Sequence, residues 1–466
     1  MRVARCGRIS AAIVMAALTL GGIIPAHAAT TGAPAGLPPG GQLWASTFEG
    51  SGQENVVSSV TSSPDGQLIV ATGSTGTPEK DSRYGTVVYD AHGGQQVWAR
   101  EYSGPGAFSA ATSVTVSGKD TTVFVTGFSE NASGNDDYAT VAYSLATGAQ
   151  LWVRRWAGAG GSNDKAVQVA VGNAVVVTGT STSAKGSAIV TVAYRASDGA
   201  RLWVRRVSDA SAVGLEVSHN HRQAYVIGNA GFDFDTINYV VNTGQQRWAS
   251  HYEALASPGR GQSAIGVHSI KIGPRGKSVY VVGTAGSSRS PARHDYATIA
   301  YKASNGARLW ARRYNGTASR DDEAHSVTVS PGGKTVFVTG ASNGNGSVFS
   351  FATVAYRAAT GARLWAATFK PAGSFTAQAW AVGAGGGGAK VYVTGSVRTD
   401  SGETLAETIA YHSSTGVISW KAVTGNLLIG SRYDMIVAGD VSAVYVSGDT
   451  TSAADVSDYK TVAYGG

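Results

Sequence analysis

The chain has 466 residues, of which 14% are charged, and its formal net charge is +7. This length suffices for two ordinary domains or for one large closed array of repeats. The single cysteine, Cys6, excludes a disulfide framework, and the modest charge gives no indication of a nucleic-acid-binding protein.

The first 28 residues have the features of a secretory signal peptide. Three arginines precede an apolar run over residues 9–24, and Ala26-His27-Ala28 fits a small-residue cleavage site. Cleavage after Ala28 removes Cys6 and those arginines, so the net charge falls from +7 by three to +4. We therefore expect a secreted, extracellular protein with no thiol nucleophile, no thiolate metal site and no membrane span in the mature chain.

The mature chain is expected to form one domain after a short leader. Residues 29–41 are rich in Pro, Gly and Ala, and this composition predicts an extended or disordered segment. The single domain is predicted to cover residues 42–466.

Tryptophans recur at a nearly constant spacing along this domain. Successive intervals are 54, 54, 51, 45, 62, 55 and 55 residues, and a period of this size indicates a repeat architecture. The recurring tryptophans are Trp44, Trp98, Trp152, Trp203, Trp248, Trp310, Trp365 and Trp420.

One repeat, residues 308–361, contains four segments that predict β-strands. RLWARRY, SVTVS, TVFVTG and FATVAY are separated by polar loops or glycine turns, and no segment has a sustained helical period. Four antiparallel strands per repeat are typical of a β-propeller blade. An open solenoid is the alternative, and it would need capping repeats.

The two ends of the domain favour a closed ring. The domain starts with the strand at Leu43-Trp44 and stops with the strand Thr461 to Tyr464, so the N-terminal strand completes the C-terminal blade. We predict an all-β, eight-bladed β-propeller whose ring closes in this way and leaves no exposed inner edge. The innermost strands are predicted to begin near Val60, Val114, Val169, Leu215, Ile270, Val327, Val382 and Ile436.

The connections predict two different faces. The loops between the first and second strands and between the third and fourth strands of each blade are tight turns, whereas the other loops are long and variable. Because loops on a rigid scaffold usually carry function, any ligand is expected on the long-loop face near the central channel.

The frame around each tryptophan resembles the tryptophan-docking repeat of the pyrroloquinoline quinone (PQQ)-like propeller superfamily. Asp90…Gly94…Trp98 keeps the Asp of that repeat, and frames such as Ala142…Gly148…Trp152 and Ala300…Gly306…Trp310 keep its spacing. The resemblance covers the mature chain and implies that each indole is wedged between adjacent blades. Composition rich in Ala, Gly, Val, Thr and Arg is typical of a bacterial, actinobacterial-looking member.

The superfamily includes enzymes and proteins without enzymatic activity. Quinoprotein alcohol dehydrogenases hold the quinone with an adjacent cysteine pair, a stacking Trp, and calcium bound by Glu, Asn and a catalytic Asp. A bacterial outer-membrane assembly lipoprotein of the same superfamily has no enzymatic role. None of the dehydrogenase residues can be transferred to this chain, so no cofactor is predicted, although PQQ and calcium stay possible.

The candidate site lies at the predicted channel mouth. A glycine in the second strand sets a common register for five blades: Gly73, Gly127, Gly283, Gly340 and Gly395. The residue ahead of the innermost strand is then Ser58, Thr112, His268, His325 or Trp380, and Asp434 falls close to this position in the last blade. His268, His325, Trp380 and Asp434 could orient a small ligand or a divalent metal. The alternative is that they satisfy loop backbone groups and fill the channel.

Two charged patterns have structural alternatives of the same kind. Arg154-Arg155, Arg205-Arg206 and Arg312-Arg313 could attract anionic polymers, but charges that protect outer edge strands are the favoured interpretation. The acidic loops 135–137 and 320–323 could hold calcium, but solvated loop charge is favoured.

The leading functional hypothesis is a non-catalytic binding scaffold. We expect a monomer that engages a glycan, a cell-wall polymer or a protein through its long-loop face, and we expect no nucleic-acid partner. The alternative is an enzyme with its site at the channel mouth, either a PQQ-dependent oxidoreductase or a propeller hydrolase or lyase.

Overall fold

The computed structural model describes residues 38–77, 80–119, 121–254, 265–286, 293–345, 348–425, 427, 435–439, 442–451 and 456–466. Eight four-stranded antiparallel sheets are arranged in a ring, and no helix occurs among the described residues. The predicted eight-bladed β-propeller is confirmed.

Each blade runs outward from an innermost strand A to an outermost strand D. The first strand, β1, spans Gln42–Phe48 and belongs to blade 8. Blade 1 has β2 (Val56–Ser62), β3 (Leu68–Thr77), β4 (Asp81–Asp90) and β5 (Gln96–Tyr102). Blade 2 has β6 (Ser109–Val116), β7 (Thr122–Glu130), β8 (Asp136–Ser144) and β9 (Gln150–Trp156). Blade 3 has β10 (Asn163–Val171), β11 (Val175–Ser183), β12 (Gly186–Tyr194) and β13 (Arg201–Ser208). Blade 4 has β14 (Ser211–Val217), β15 (Gln223–Ala230), β16 (Asp233–Val240) and β17 (Gln246–Tyr252).

The remaining strands follow the same order. Blade 5 has β18 (Gly266–Ile272), β19 (Ser278–Gly286), β20 (His294–Lys302) and β21 (Arg308–Tyr314). Blade 6 has β22 (Asp322–Val329), β23 (Thr335–Asn345), β24 (Val348–Arg357) and β25 (Arg363–Phe369). Blade 7 has β26 (Ser374–Ala384), β27 (Lys390–Thr399), β28 (Thr404–His412) and β29 (Ile418–Thr424). Blade 8 has β30 (Met435–Val437), β31 (Ala443–Thr451) and β32 (Ser457–Gly465), and β1 completes it.

The hydrophobic pattern explains which strands lie inside a blade. The two middle strands are apolar on both faces because both faces pack against neighbouring blades; β8, for example, is buried over seven consecutive residues. The outermost strand β9 exposes its first two residues and buries Trp152. Strands A and D are therefore the ones with side chains available to the channel and the rim.

Ring closure follows the predicted route. Strand β1 pairs antiparallel with β32, and Trp44 lies opposite Ala463 in this pair. Residues 38–41, which the sequence places in the leader, contact the ring: the Gly40 amide donates to the Gly465 carbonyl at 2.9 Å. Gly40 also lies against the indole of Trp420.

The recurring tryptophans join adjacent blades, as the resemblance implied. Trp310 Nε1 in blade 5 donates to the Ala358 carbonyl in blade 6 at 2.9 Å. The same indole lies against Gly361, whose φ of +67° places it in the left-handed region that glycine adopts without a side-chain penalty. Six more tryptophans donate to the next blade in the same way: Trp44, Trp98, Trp152, Trp203, Trp248 and Trp365.

The first arginine of each pair has a structural role that the sequence did not show. Arg312 Nε donates to the Gly361 carbonyl at 2.9 Å, and Nη2 donates to the Thr360 carbonyl at 2.7 Å. Arg154 and Arg205 make the equivalent bonds to the next blade. These guanidinium groups therefore bridge blades, a role that neither polymer attraction nor edge protection describes.

Side chains near the long-loop ends of the second strands also join blades. Asp449 Oδ1 in blade 8 accepts from the Val57 amide in blade 1 at 2.7 Å. Asn229 Oδ1 in blade 4 accepts from the Val267 amide in blade 5 at 2.8 Å. Burial raises the pKa of Asp449 from 3.8 to about 7, against the lowering effect of the Val57 amide.

We expect Asp449→Asn to stabilise the protein at pH 8 by about 2 kcal/mol and to have little effect near pH 4. A carboxyl whose pKa is raised on folding contributes stability below its unfolded pKa of 3.8 and loses it as the pH rises through about 7. Asparagine keeps the acceptor oxygen, as Asn229 does, and removes the buried charge. Urea unfolding at both pH values measures the effect, and Asp449→Ala, which removes the acceptor as well, is the comparison. Equal destabilisation by Asp449→Asn at both pH values would contradict this prediction.

Candidate functional site

The innermost strands share a β-bulge that points one extra side chain into the channel. In blade 1 the pairing of β2 with β3 slips between Val57 and Ser59, so Ser58 is the extra residue. The same slip occurs in blades 2 to 7. We call the seven extra residues the bulge ring: Ser58, Thr112, Val167, Val213, His268, His325 and Trp380.

A glycine on strand B makes each bulge possible. A Cβ atom on Gly340 would lie 1.9 Å from the Glu323 carbonyl oxygen, and a Cβ on Gly73 would lie 1.9 Å from that of Val56. The bulge brings the carbonyl of strand A over strand B, so only a residue without a side chain fits there. These glycines therefore mark the bulge positions in the sequence.

The bulge ring encloses one cavity of about 410 Å³. The residues that follow the bulges complete its wall, and they are mostly small or polar. Ser59 Oγ and Ser113 Oγ accept from amides of the next innermost strand at 3.4 and 3.3 Å, so these hydroxyls join blades while their O–H groups stay available to donate.

The structure places three of the four predicted site residues together. The rings of His325 and Trp380 are stacked with centroids 4.3 Å apart and an interplanar angle of 11°. The His268 ring is edge-on to that of His325 at 6.0 Å. Asp434 lies outside the described residues. Ligand binding by these side chains stays a prediction.

His325 uses one ring nitrogen to contact the backbone of the next blade. Its Nδ1 lies 2.7 Å from the Ala379 carbonyl of blade 7, so Nδ1 carries the proton. Thr112 makes the equivalent bond to the Ala166 carbonyl of blade 3 at 2.9 Å. The predicted alternative, that these residues satisfy backbone groups, therefore holds for Nδ1 of His325. Nε2 of His325 and the ring face stacked on Trp380 make no such backbone contact with the described residues.

A carboxylate that the sequence analysis did not assign to the site lies beside His325. Glu323 Oε2 is 3.7 Å from His325 Nε2, an ion-pair distance that is too long for a hydrogen bond. Interaction with His325 keeps the pKa of Glu323 below its usual value. The sequence held no signal for this contact, because His325 is the bulge residue and the regular alternation of strand faces is interrupted there.

His268 is neutral at physiological pH. The surrounding protein and the neighbouring His325 lower the pKa of His268 to about 4. More than a third of the residue is exposed in the channel, so the charged form keeps part of its hydration. A neutral imidazole both donates and accepts a hydrogen bond, and Thr284 Oγ1 lies 3.4 Å from its Nε2.

Two members of the bulge ring, Val167 and Val213, were not identified from the sequence. Their signal was present, because Gly179 and Gly228 occupy the strand B position in blades 3 and 4. Both valines are apolar; Val167 of blade 3 lies across the eight-bladed ring from Trp380 of blade 7, and Val213 of blade 4 is the neighbour of His268 in blade 5.

The acidic loops are held by the protein's own groups. Asp137 pairs with Arg155 at 2.9 Å, and Asp321 pairs with Arg293 at 3.3 Å. Asp322 accepts from the Gly316 amide at 2.7 Å, and burial raises its pKa to about 6. Among the described residues, no group of three or more His, Cys, Asp or Glu side chains could hold a metal ion.

The cavity lining does not fit a quinone held by calcium. PQQ is a polycarboxylate, whereas the lining includes no Arg or Lys and no Asp or Glu among the described residues. Calcium prefers several oxygen ligands including carboxylates, which this wall does not supply. The residues of the bulge ring therefore give no chemical role to a quinone in this cavity.

Comparison with known proteins supports the fold assignment. A family model described as outer membrane protein assembly factor BamB matches residues 35–254 and 83–351. No curated protein sequence matches the chain. None of the described segments forms a helix with the length and apolarity that a membrane crossing requires.

Solved structures share the propeller at low sequence identity. Chaetomium thermophilum Sqt1 bound to the N-terminus of ribosomal protein L10 has a TM-score of 0.56 and 11% identity, over 90% of this chain and 98% of that chain. BamB from Moraxella catarrhalis has a TM-score of 0.51 and 14% identity, over 91% and 99%. Quinohemoprotein alcohol dehydrogenase from Comamonas testosteroni has a TM-score of 0.54 and 11% identity, over 91% and 76%. These likenesses show the fold alone, and the family match shows that the chain belongs to the PQQ-like β-propeller repeat family whose model is described as outer membrane protein assembly factor BamB.

Proposed function

We propose that this protein is a secreted, non-catalytic binding scaffold that takes a neutral polar group, such as a sugar unit of a glycan or cell-wall polymer, into the cavity of the bulge ring. The observation that carries the proposal is the composition of one wall. His268 presents a neutral imidazole, and the rings of His325 and Trp380, stacked on each other, line the same cavity beside serine hydroxyls.

The chemistry of this wall favours binding over turnover. Sugar rings pack against indole faces, and their hydroxyls exchange hydrogen bonds with imidazole and serine groups. Covalent catalysis by this wall would need a nucleophile and a base within hydrogen-bond distance. The two imidazole centroids are 6.0 Å apart, and the Nδ1 proton of His325 is engaged by the Ala379 carbonyl.

Binding of protein partners by related folds is compatible with this proposal. The Sqt1 structure contains the N-terminus of a ribosomal protein, so propellers of similar fold bind peptide segments. A protein partner carrying a glycan would use the same cavity. Secretion through the signal peptide at residues 1–28, which lie outside the described ranges, is part of the proposal.

The test uses substitutions taken from other blades. His268→Ser introduces the residue of blade 1, and His325→Thr introduces that of blade 2, which keeps the bond to the next blade. We expect this double variant to lose at least tenfold in affinity for chitooligosaccharides or isolated cell-wall sacculi, measured by calorimetry and by pull-down, with unchanged melting temperature.

The matched control is Val167→Thr with Val213→Thr at the same ring positions of blades 3 and 4, and it should change affinity less than twofold. Loss of binding in both double variants would mean that the substitutions disturb the structure of the ring, and it would contradict a specific role for the histidines. Conversion of the bound oligosaccharide, abolished by the His variant alone, would replace the proposal with an enzymatic function.

A further inference from the structure

The tight-turn face carries a basic sector. Six successive turns of blades 4 to 6 contain exposed Arg and Lys side chains and no Asp or Glu. These turns cover residues 218–223, 240–247, 273–278, 302–308, 330–335 and 357–363. The acidic pairs described above, such as those of Asp137 and Asp321, lie on the other face. A positive potential is therefore concentrated on one side of one face, which attracts anions.

A cavity of about 530 Å³ lies within this sector, between blades 4 and 5. The side chains of Arg247, Arg275, Lys277 and Lys302 line it, and the described lining includes no carboxylate. None of these four cations forms an ion pair within the described residues. We call this cavity the basic groove.

The basic groove departs from the repeat at two positions. Arg247 stands directly before the docking tryptophan, where Leu309 and Leu364 stand in the next two blades. Asn238 lies opposite Trp248, where the other seven blades place Ala or Val opposite their tryptophan. Both departures introduce a polar or charged side chain. Other blades fold with Ala, Val or Leu at these positions, so the fold does not require them.

The equivalent turns between blades 8 and 1 carry negative instead of positive side chains. The Ala91 amide donates to the Gln67 carbonyl, as the Ala303 amide donates to that of Lys277, so the two sets of turns correspond. Asp90 and Asp65 then occupy the positions of Lys302 and Arg275. The positive charge of the basic groove is therefore not shared by every pair of adjacent blades and is not required by the fold.

The number and kind of charges define the ligand. Several cations around one cavity repel one another, and a multiply charged anion relieves this repulsion better than a single carboxylate does. The lining offers no exposed Phe, Tyr or Trp ring for base stacking, since Tyr225 is only 2% exposed and the one exposed ring of the described lining is the small imidazole of His219. A flexible phosphate chain without bases fits these features better than a nucleic acid.

We propose that the basic groove binds phosphate groups of a linear phosphate polymer that extends over the basic sector toward blade 6. Lys334 and Arg357 of that blade would contact the next phosphates along the chain. This site lies on the face opposite the bulge ring and is independent of the function proposed there.

The test compares two double variants of the whole mature protein. In the first variant, Arg247→Leu with Arg275→Gly, each arginine is replaced by the residue at the equivalent position of the next repeat. These equivalent residues are Leu309 and Gly332. The control, Lys185→Gln with Lys370→Gln, removes two exposed cations from the other face. Binding of fluorescent medium-chain polyphosphate is measured by anisotropy from about 50 to about 200 mM salt.

We expect the groove variant to lose at least tenfold in affinity with a shallower salt dependence, and the control to lose less than twofold. Equal losses would show a net-charge effect and overturn the proposal. Polyglutamate or single-stranded DNA of matched charge binding as tightly as polyphosphate would also overturn it. If the first variant fails to fold, Lys277→Gln with Lys302→Gln is the second, since Gln67 stands at the Lys277 position in blade 1.

Discussion

Replacement of Trp310 by alanine is expected to lower the free energy of unfolding by about 4 kcal/mol. The indole is 6% exposed, packs between blades 5 and 6 beside Tyr280 and Tyr356, and donates to the Ala358 carbonyl. Alanine leaves a cavity between the blades, and the Ala358 carbonyl keeps only its longer bond from the Tyr280 hydroxyl at 3.4 Å. Denaturant unfolding followed by circular dichroism measures the loss without relying on tryptophan fluorescence.

Trp420 supplies a matched comparison for the hydrogen-bond part of this effect. Its indole is 8% exposed, but Nε1 has no hydrogen-bond partner among the described residues. Trp310→Phe removes a bond as well as part of the ring, whereas Trp420→Phe removes ring area only. We expect Trp310→Phe to cost about 1 kcal/mol more than Trp420→Phe. Equal costs would mean that the bond to Ala358 contributes nothing to blade docking.

The blade count was predictable because docking requires a tryptophan at one fixed point of each repeat. The contact between Trp310 and Gly361 spans two blades, so both residues recur with the period of the repeat. The arginine bridges were not predictable in the same way. Arg312 reaches carbonyl groups of the next blade's turn, and backbone acceptors leave no mark in the sequence.

The starts of the innermost strands were predicted too late for a physical reason. The sequence placed the first near Val60 and the second near Val114, whereas β2 begins at Val56 and β6 at Ser109. The bulge interrupts the alternation of exposed and buried residues, and only the segment after it has a regular period. Strand pairing continues across the bulge, so the structural strand is longer than its pattern.

The candidate site was found in part for the same reason. The strand B glycines mark each bulge, and this located His268, His325 and Trp380 in the sequence. The distance of Glu323 from His325 depends on how far the bulge turns the strand, which no spacing encodes. The basic groove combines turns from two blades, and its charge is visible only when Arg275 and Lys302 are placed side by side.

Gly340→Ala is expected to destabilise the protein by at least about 3 kcal/mol, because the bulge of blade 6 and its glycine depend on each other. The new methyl carbon would lie 1.9 Å from the Glu323 carbonyl oxygen and 2.9 Å from the Tyr296 hydroxyl. The Glu323 carbonyl oxygen is a backbone atom, so strand β22 itself must move to relieve the contact. Such movement would also displace His325, two residues along β22, and should weaken any ligand binding in the channel.

Gly332→Ala is the control for this change, because its Cβ would meet no atom within 4 Å and its φ is not positive. We expect it to alter the free energy of unfolding by less than about 0.5 kcal/mol. Chemical unfolding of both variants tests the difference. If the two substitutions cost the same, the close approach of strand A to strand B is not what requires glycine, and the bulge would then have to be maintained by the channel side chains themselves.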